Sequence, residues 1–254
     1  MRSGASGPVR DSASRLAVAV IAFALALAAC TVRAEGDPTT GPGETPGVSS
    51  TAGTTGLRYV ALGDSYTIGT SVAPAERFPD QLVAALGPNE PTLTLVANLA
   101  VNGFTSRDVI DVELPELDTY DPEFVTLLIG VNDVVRGVSL ATYEANVVTI
   151  LDALLARLPA ERIVVLAIPE YTVTPQGANY GDPQQQRAAL QRNNAAMENL
   201  ATARGIRYVD IYDISLEAES DRSLVADDGL HPSGAQYARW VERLLPVVEE
   251  AIGR

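Results

Sequence analysis

The chain has 254 residues, 46% of them hydrophobic, and a formal net charge of -14, with one histidine and one cysteine. That acidity argues against nucleic acid or an anionic lipid surface as an electrostatic partner. All 18 basic residues are arginine, which excludes a Ser-Lys dyad and a lysine Schiff base, and the single cysteine excludes an internal disulfide.

Arg2, Arg10 and Arg15 precede an uncharged apolar run from Leu16 to Ala29. This is the layout of a secretory leader, a basic start followed by a hydrophobic core too short for the ~20 residues of a membrane span. The run ends in Leu27-Ala28-Ala29-Cys30. That ending resembles a bacterial lipoprotein signal, which implies a mature N-terminus at a lipidated Cys30 and a protein held at the extracytoplasmic side of the membrane by the lipid. Residues 31–56 are dominated by Thr, Gly, Pro, Ser and Glu and have little to bury, the composition of a flexible tether. Residues 57–254 then form one domain, long enough to bury a core without staples.

Within that domain Leu57 to Leu62 reads as a buried strand that stops at Gly63-Asp64-Ser65-Tyr66. Gly63 permits a sharp turn there, so Ser65 falls at the carboxyl end of a strand, where open α/β sheets keep their ligand sites. The apolar spacing predicts a helix over 79–86, closed by Gly87-Pro88, and a second strand over 92–97. Asn98 to Thr105 forms a turn, and Ser106 is placed to cap a short helix ending near Leu114, before Pro115. The third strand spans 124–129 and breaks at Gly130-Val131-Asn132-Asp133. A helix over 140–158, a strand over 162–168 and a polar loop over 170–183 with Tyr171 and Tyr180 follow. A helix over 184–204 stops at Gly205, and 206–209 is a short fifth strand. An acidic loop from Asp213 to Gly229 leads to Asp228-Gly229-Leu230-His231-Pro232, and a last helix from Ser233 to Ile252 carries the apolar stripe Trp240, Val241, Leu244 and Leu245. Pro246 should kink or interrupt it. Strands alternating with helices predict an α/β fold, a three-layer α/β/α sandwich on a five-stranded parallel sheet.

Four loops therefore gather at one sheet edge, carrying Ser65, Gly103, Asn132 and the pair Asp228 and His231. A serine hydroxyl is a weak nucleophile until a base takes its proton, and His231 is the one imidazole in the chain. Asp228, three residues earlier, would hold the ring tautomer. The backbone N–H groups of Ser65 and Gly103 and the Asn132 amide would receive the oxyanion of acyl transfer.

On those residues the chain resembles the SGNH, or GDSL-like, hydrolases. The matching blocks, in the family's order, are Gly63-Asp64-Ser65-Tyr66, Asn102-Gly103, Gly130-Val131-Asn132-Asp133 and Asp228-Gly229-Leu230-His231-Pro232. The resemblance implies a flavodoxin-like sheet order 2-1-3-4-5, no metal or other cofactor, and an acyl-enzyme on Ser65. It also implies a small-molecule, glycan or lipid ester as substrate. Tyr66 replaces the leucine of the family name, a change expected to alter the pocket wall and not the chemistry. Two alternatives use the same residues: a non-catalytic binding module on a hydrolase scaffold, and an acyltransferase whose acyl-enzyme is resolved by an alcohol instead of water.

Overall fold

The computed structural model describes residues 56–254. The leader, Cys30 and the rest of the tether lie outside the described residues.

Five strands form one sheet: β1 (Leu57–Gly63), β2 (Leu93–Asn98), β3 (Phe124–Leu128), β4 (Ile163–Leu166) and β5 (Arg207–Val209). Their order is β2-β1-β3-β4-β5 and every pairing is parallel, as the resemblance implied. β3 and β4 are buried at every residue. Their almost wholly apolar sequence, broken only by Thr126, whose hydroxyl pairs with that of Tyr59, fits strands covered on both faces.

The helices are α1 (Ser65–Ile68), α2 (Phe78–Leu86), α3 (Ser106–Asp108), α4 (Leu114–Leu117), α5 (Val131–Val135), α6 (Leu140–Leu155), α7 (Pro183–Thr202), α8 (Tyr212–Leu216) and α9 (Gly234–Ile252). The chain steps outward from β1 to β2 and then returns across β1 to β3. Right-handed crossovers in opposite directions place their helices on opposite faces of the sheet. Accordingly α2 packs on α9 and α6 packs on α7, which completes the three layers. Between α2 and α9, Phe78, Tyr237 and Trp240 interlock, with the Tyr237 and Trp240 rings edge-to-face at 5.0 Å. Each such fully buried large side chain contributes roughly 1.5–3 kcal/mol.

Three elements differ from the sequence expectation. Thr105, not Ser106, caps α3: its hydroxyl accepts from the Asp108 N–H, and Asp108 Oδ2 accepts from the Thr105 N–H at 2.8 Å. Pro115 does not end that helix. A π-helical turn over Val109–Glu113 shifts the Leu114 N–H onto the carbonyl of Val109, five residues back, and Pro115 then enters within the first turn of α4, where a missing N–H is harmless. Likewise α9 runs uninterrupted through Pro246, because this proline and Glu242, whose carbonyl it leaves unpaired, both face solvent. The expected acidic loop after β5 contains α8 and two short 3-10 turns, with Leu224 and Ala218 buried against Val173.

Candidate active site

β1 ends in a turn that only glycine allows. Gly63 has φ +149°, and a Cβ there would lie 2.3 Å from the Leu128 carbonyl and 2.5 Å from Thr67 Oγ1. The chain can therefore reverse tightly and begin α1 with Ser65. Asp64 caps that helix through Oδ1, which accepts from the Tyr66 N–H at 3.0 Å. Glu113, from the π-helical turn, reaches beneath and accepts the Gly63 N–H at 2.8 Å. Both carboxyls are almost completely buried, and desolvation pushes Asp64 up to about 8 and Glu113 up to about 9. Each is thus largely protonated at neutral pH, when the turn beneath Ser65 carries little charge.

The second loop comes from β2. Gly103 has φ +82°, and its carbonyl accepts from Arg136 Nη2 at 2.6 Å, which pins the turn. From β3 comes Asn132, whose Nδ2 donates to the Phe104 carbonyl at 2.9 Å, so the amide is aimed and one N–H remains. Asp133, buried beside it, accepts from the Ser106 N–H at 2.8 Å and the Ser106 hydroxyl at 2.5 Å and ties the two loops together. Burial raises its pKa. The backbone N–H groups of Ser65 and Gly103 have no hydrogen-bond partner among the described residues.

The last loop carries Asp228 and His231. His231 Nδ1 lies 2.6 Å from Asp228 Oδ2, and Asp228 Oδ1 accepts from the N–H groups of Leu230 and His231 at 2.9 and 3.0 Å. Ser71 Oγ donates to Oδ2 at 2.7 Å. Partial burial pushes Asp228 up, but these four donors outweigh it and hold the carboxyl down at about 2. Asp228 is therefore a carboxylate across the neutral range, able to fix the ring with its second nitrogen away from the acid. The loop is itself held by Gln176, whose N–H donates to the Gly229 carbonyl at 2.9 Å, and by the pairing of Val225 with Pro232.

Ser65, Gly103, Asn132 and His231 line one cavity of about 280 Å³. Tyr66 forms part of its wall, with its ring 5.4 Å from the imidazole. Tyr171 and Tyr180, in edge-to-face contact, close another side. Phe104 packs against the core and does not line the cavity. A direct Ser65–His231 hydrogen bond is not among the contacts of the described residues; in unliganded sites such bonds often tighten only with substrate in place. The sequence did not single out Thr70, Val131, Val135 or Leu230 as cavity residues, nor Ser71 as a partner of Asp228. Val131 and Leu230 sit within matching blocks, so the blocks themselves could have pointed to them.

An arrangement of this kind, at the carboxyl edge of a parallel sheet, defines a hydrolase of α/β/α architecture. The GDSL-like Lipase/Acylhydrolase family matches residues 61–239, and the chain belongs to that family. It is a carboxylic ester hydrolase. No curated protein matches the chain. Among solved structures it is similar to a member of the lipolytic G-D-S-L family from Veillonella parvula, at 15% identity and a TM-score of 0.61, over 75% of this chain and 97% of that one. It is similar to Axe2, an acetyl xylan esterase from Geobacillus stearothermophilus, at 21% identity and a TM-score of 0.58, over 78% and 94%. The esterase EstA from Pseudoalteromonas sp. is 16% identical with a TM-score of 0.61, over 78% and 100%. These likenesses show a shared fold.

Proposed function

We propose that the protein cleaves carboxylic esters through an acyl-enzyme on Ser65, with His231 as base and Asp228 as the group that orients it. The observation that carries this reading is that Ser65 and His231, from opposite ends of the domain, line the same cavity while Asp228 holds the far side of the imidazole. Ser65 Oγ attacks the ester carbonyl and its proton passes to His231 Nε2. The carbonyl π pair moves to oxygen, and that oxyanion is received by the N–H groups of Ser65 and Gly103 and the remaining N–H of Asn132. As the C=O bond re-forms, the C–O bond to the leaving alcohol breaks and Nε2 returns the proton to that oxygen. Water then repeats the sequence on the acyl-enzyme, releasing the carboxylic acid and restoring Ser65.

The cavity is small, and Val131, Val135, Leu230 and the two tyrosines give it an apolar wall beside Thr70 and Asn102. This suits a short acyl group on a polar alcohol, such as the acetyl esters of carbohydrates named for Axe2. The leader and Cys30 extend the reading to an exported, lipid-anchored enzyme; Cys30→Ser should move it from the membrane to the soluble fraction at unchanged specific activity.

The test is hydrolysis of p-nitrophenyl esters of increasing chain length. Acetate should be cleaved at a higher kcat/KM than octanoate or longer. Ser65→Ala and His231→Ala should each lose at least ~10⁴-fold in kcat. A kcat within about tenfold of wild type in either variant would refute the mechanism, and a preference for long chains would refute the substrate class.

A further inference from the structure

Among the described residues, Asp228 is reached by one side chain from outside its own loop. Ser71 Oγ donates to Oδ2 at 2.7 Å, the oxygen that also faces His231 Nδ1. Ser71 does so from a backbone φ of 67°, a left-handed conformation that residues with a Cβ disfavour. Such outliers persist where surrounding contacts hold them, and they cluster at functional sites. The adjacent residue reaches the other way: Thr70 Oγ1 donates to Asn102 Oδ1, next to Gly103. Both follow directly from the nucleophile, since α1 begins at Ser65 and ends in the left-handed cap Gly69.

We propose that Ser71 is a positioning residue for ester cleavage, whose hydroxyl ties Asp228, and through it the imidazole, to the turn that carries Ser65. This inference rests on the acyl-enzyme reading above. Ser71 does not line the cavity, so it acts through Asp228 and not on substrate. It also shares Oδ2 with the imidazole N–H, and a second donor on that oxygen weakens the pull of the carboxylate on the ring proton. Loss of the hydroxyl leaves Oδ2 to the imidazole among the described residues, so the pull of the carboxylate on the ring N–H grows while Asp228 loses its link to the turn that carries Ser65.

The other titratable or charged groups around the pair stay in place. Tyr66 lies against the imidazole, Tyr237 and Asp64 bond to the backbone of Tyr66, and Arg77 acts on Tyr237. Asp227 precedes Asp228 on the same loop.

Ser71→Gly and Ser71→Ala separate the hydroxyl from the backbone, because glycine adopts a φ of 67° without strain. Initial rates with p-nitrophenyl acetate are followed from pH 4.5 to 9 beside Ser65→Ala. Both Ser71 variants should lose about tenfold in kcat with KM nearly unchanged, and both should move the acid limb of kcat/KM to higher pH. A merely structural role predicts that Ser71→Gly is as active as wild type, with the same acid limb, and that only Ser71→Ala suffers. That result, with Ser65→Ala inactive, would overturn the Ser71 proposal alone. An active Ser65→Ala would overturn the acyl-enzyme reading, and this proposal with it. Should Ser71→Ala fold poorly, Ser71→Gly decides.

Discussion

Asn132 has one amide hydrogen on the Phe104 carbonyl, which fixes where the other points. A donor aimed at the oxyanion is worth most in the transition state. Asn132→Ala should therefore lower kcat about 10²- to 10³-fold and leave KM within a few-fold, as read by steady-state kinetics. An equal loss expressed wholly in KM would place the amide on the ground-state ester instead. Ser65 and Asn132 stood out in the sequence because they fall where a strand should end, and His231 because it is the one imidazole, with Asp228 three residues before it; the structure brings Ser65, Asn132 and His231 to one cavity. Ser71 and Thr70 did not stand out. Their roles depend on a left-handed backbone and on contact between distant segments, neither of which a serine or threonine announces. Glu113 was hidden for a related reason: a glutamate in an amphipathic helix reads as solvent-facing, and only the π-helical turn is seen to deliver it beneath Gly63.

At the scale of elements, the site is braced from behind by α9. Tyr237, fully buried, donates its hydroxyl to the Tyr66 carbonyl at 2.9 Å and so locks the last helix onto the helix that begins with Ser65. Tyr237→Phe keeps the ring packing but leaves that carbonyl without its partner. It should cost about 1–3 kcal/mol in denaturant unfolding. A variant as stable as wild type would show that the hydroxyl does not hold the two helices together. The five strands and the long helices were legible in the sequence, since short runs rich in apolar and β-favouring residues between turn formers read as buried strands and longer runs at helical spacing as helices. Short elements were less so. α8 and its 3-10 turns span too few residues for a periodic signal, and at Pro115 and Pro246 the local rule yielded to a π-helical turn and to a solvent-facing position.

For the molecule as a whole, the buried carboxyls set how stability varies with pH. Asp64 and Glu113 have folded pKa values of about 8 and 9, well above an exposed carboxyl. Between about pH 4 and those values the folded chain binds more protons than the unfolded chain, so their contribution to stability falls as pH rises. Asp228, held at about 2, has the opposite sign: its contribution is present above about pH 4 and is lost as pH falls through 2. Thermal unfolding should therefore give its highest Tm on the mildly acidic side, about pH 5, and a decline toward pH 9. Glu113→Gln, which retains an oxygen for the Gly63 N–H, should flatten that decline. An unchanged slope in the variant would mean that Glu113 is not the group titrating.

The sheet order, the glycine turns and the network around Asp228 support the proposal that Ser65 is the nucleophile of this esterase. A fluorophosphonate reacts covalently with an activated serine, and peptide mass spectrometry locates the adduct. The folded protein should be labelled on Ser65 at neutral pH, with labelling abolished in Ser65→Ala and strongly slowed in His231→Ala. A folded wild-type protein left unmodified at Ser65, or modified as fast without His231, would contradict that claim.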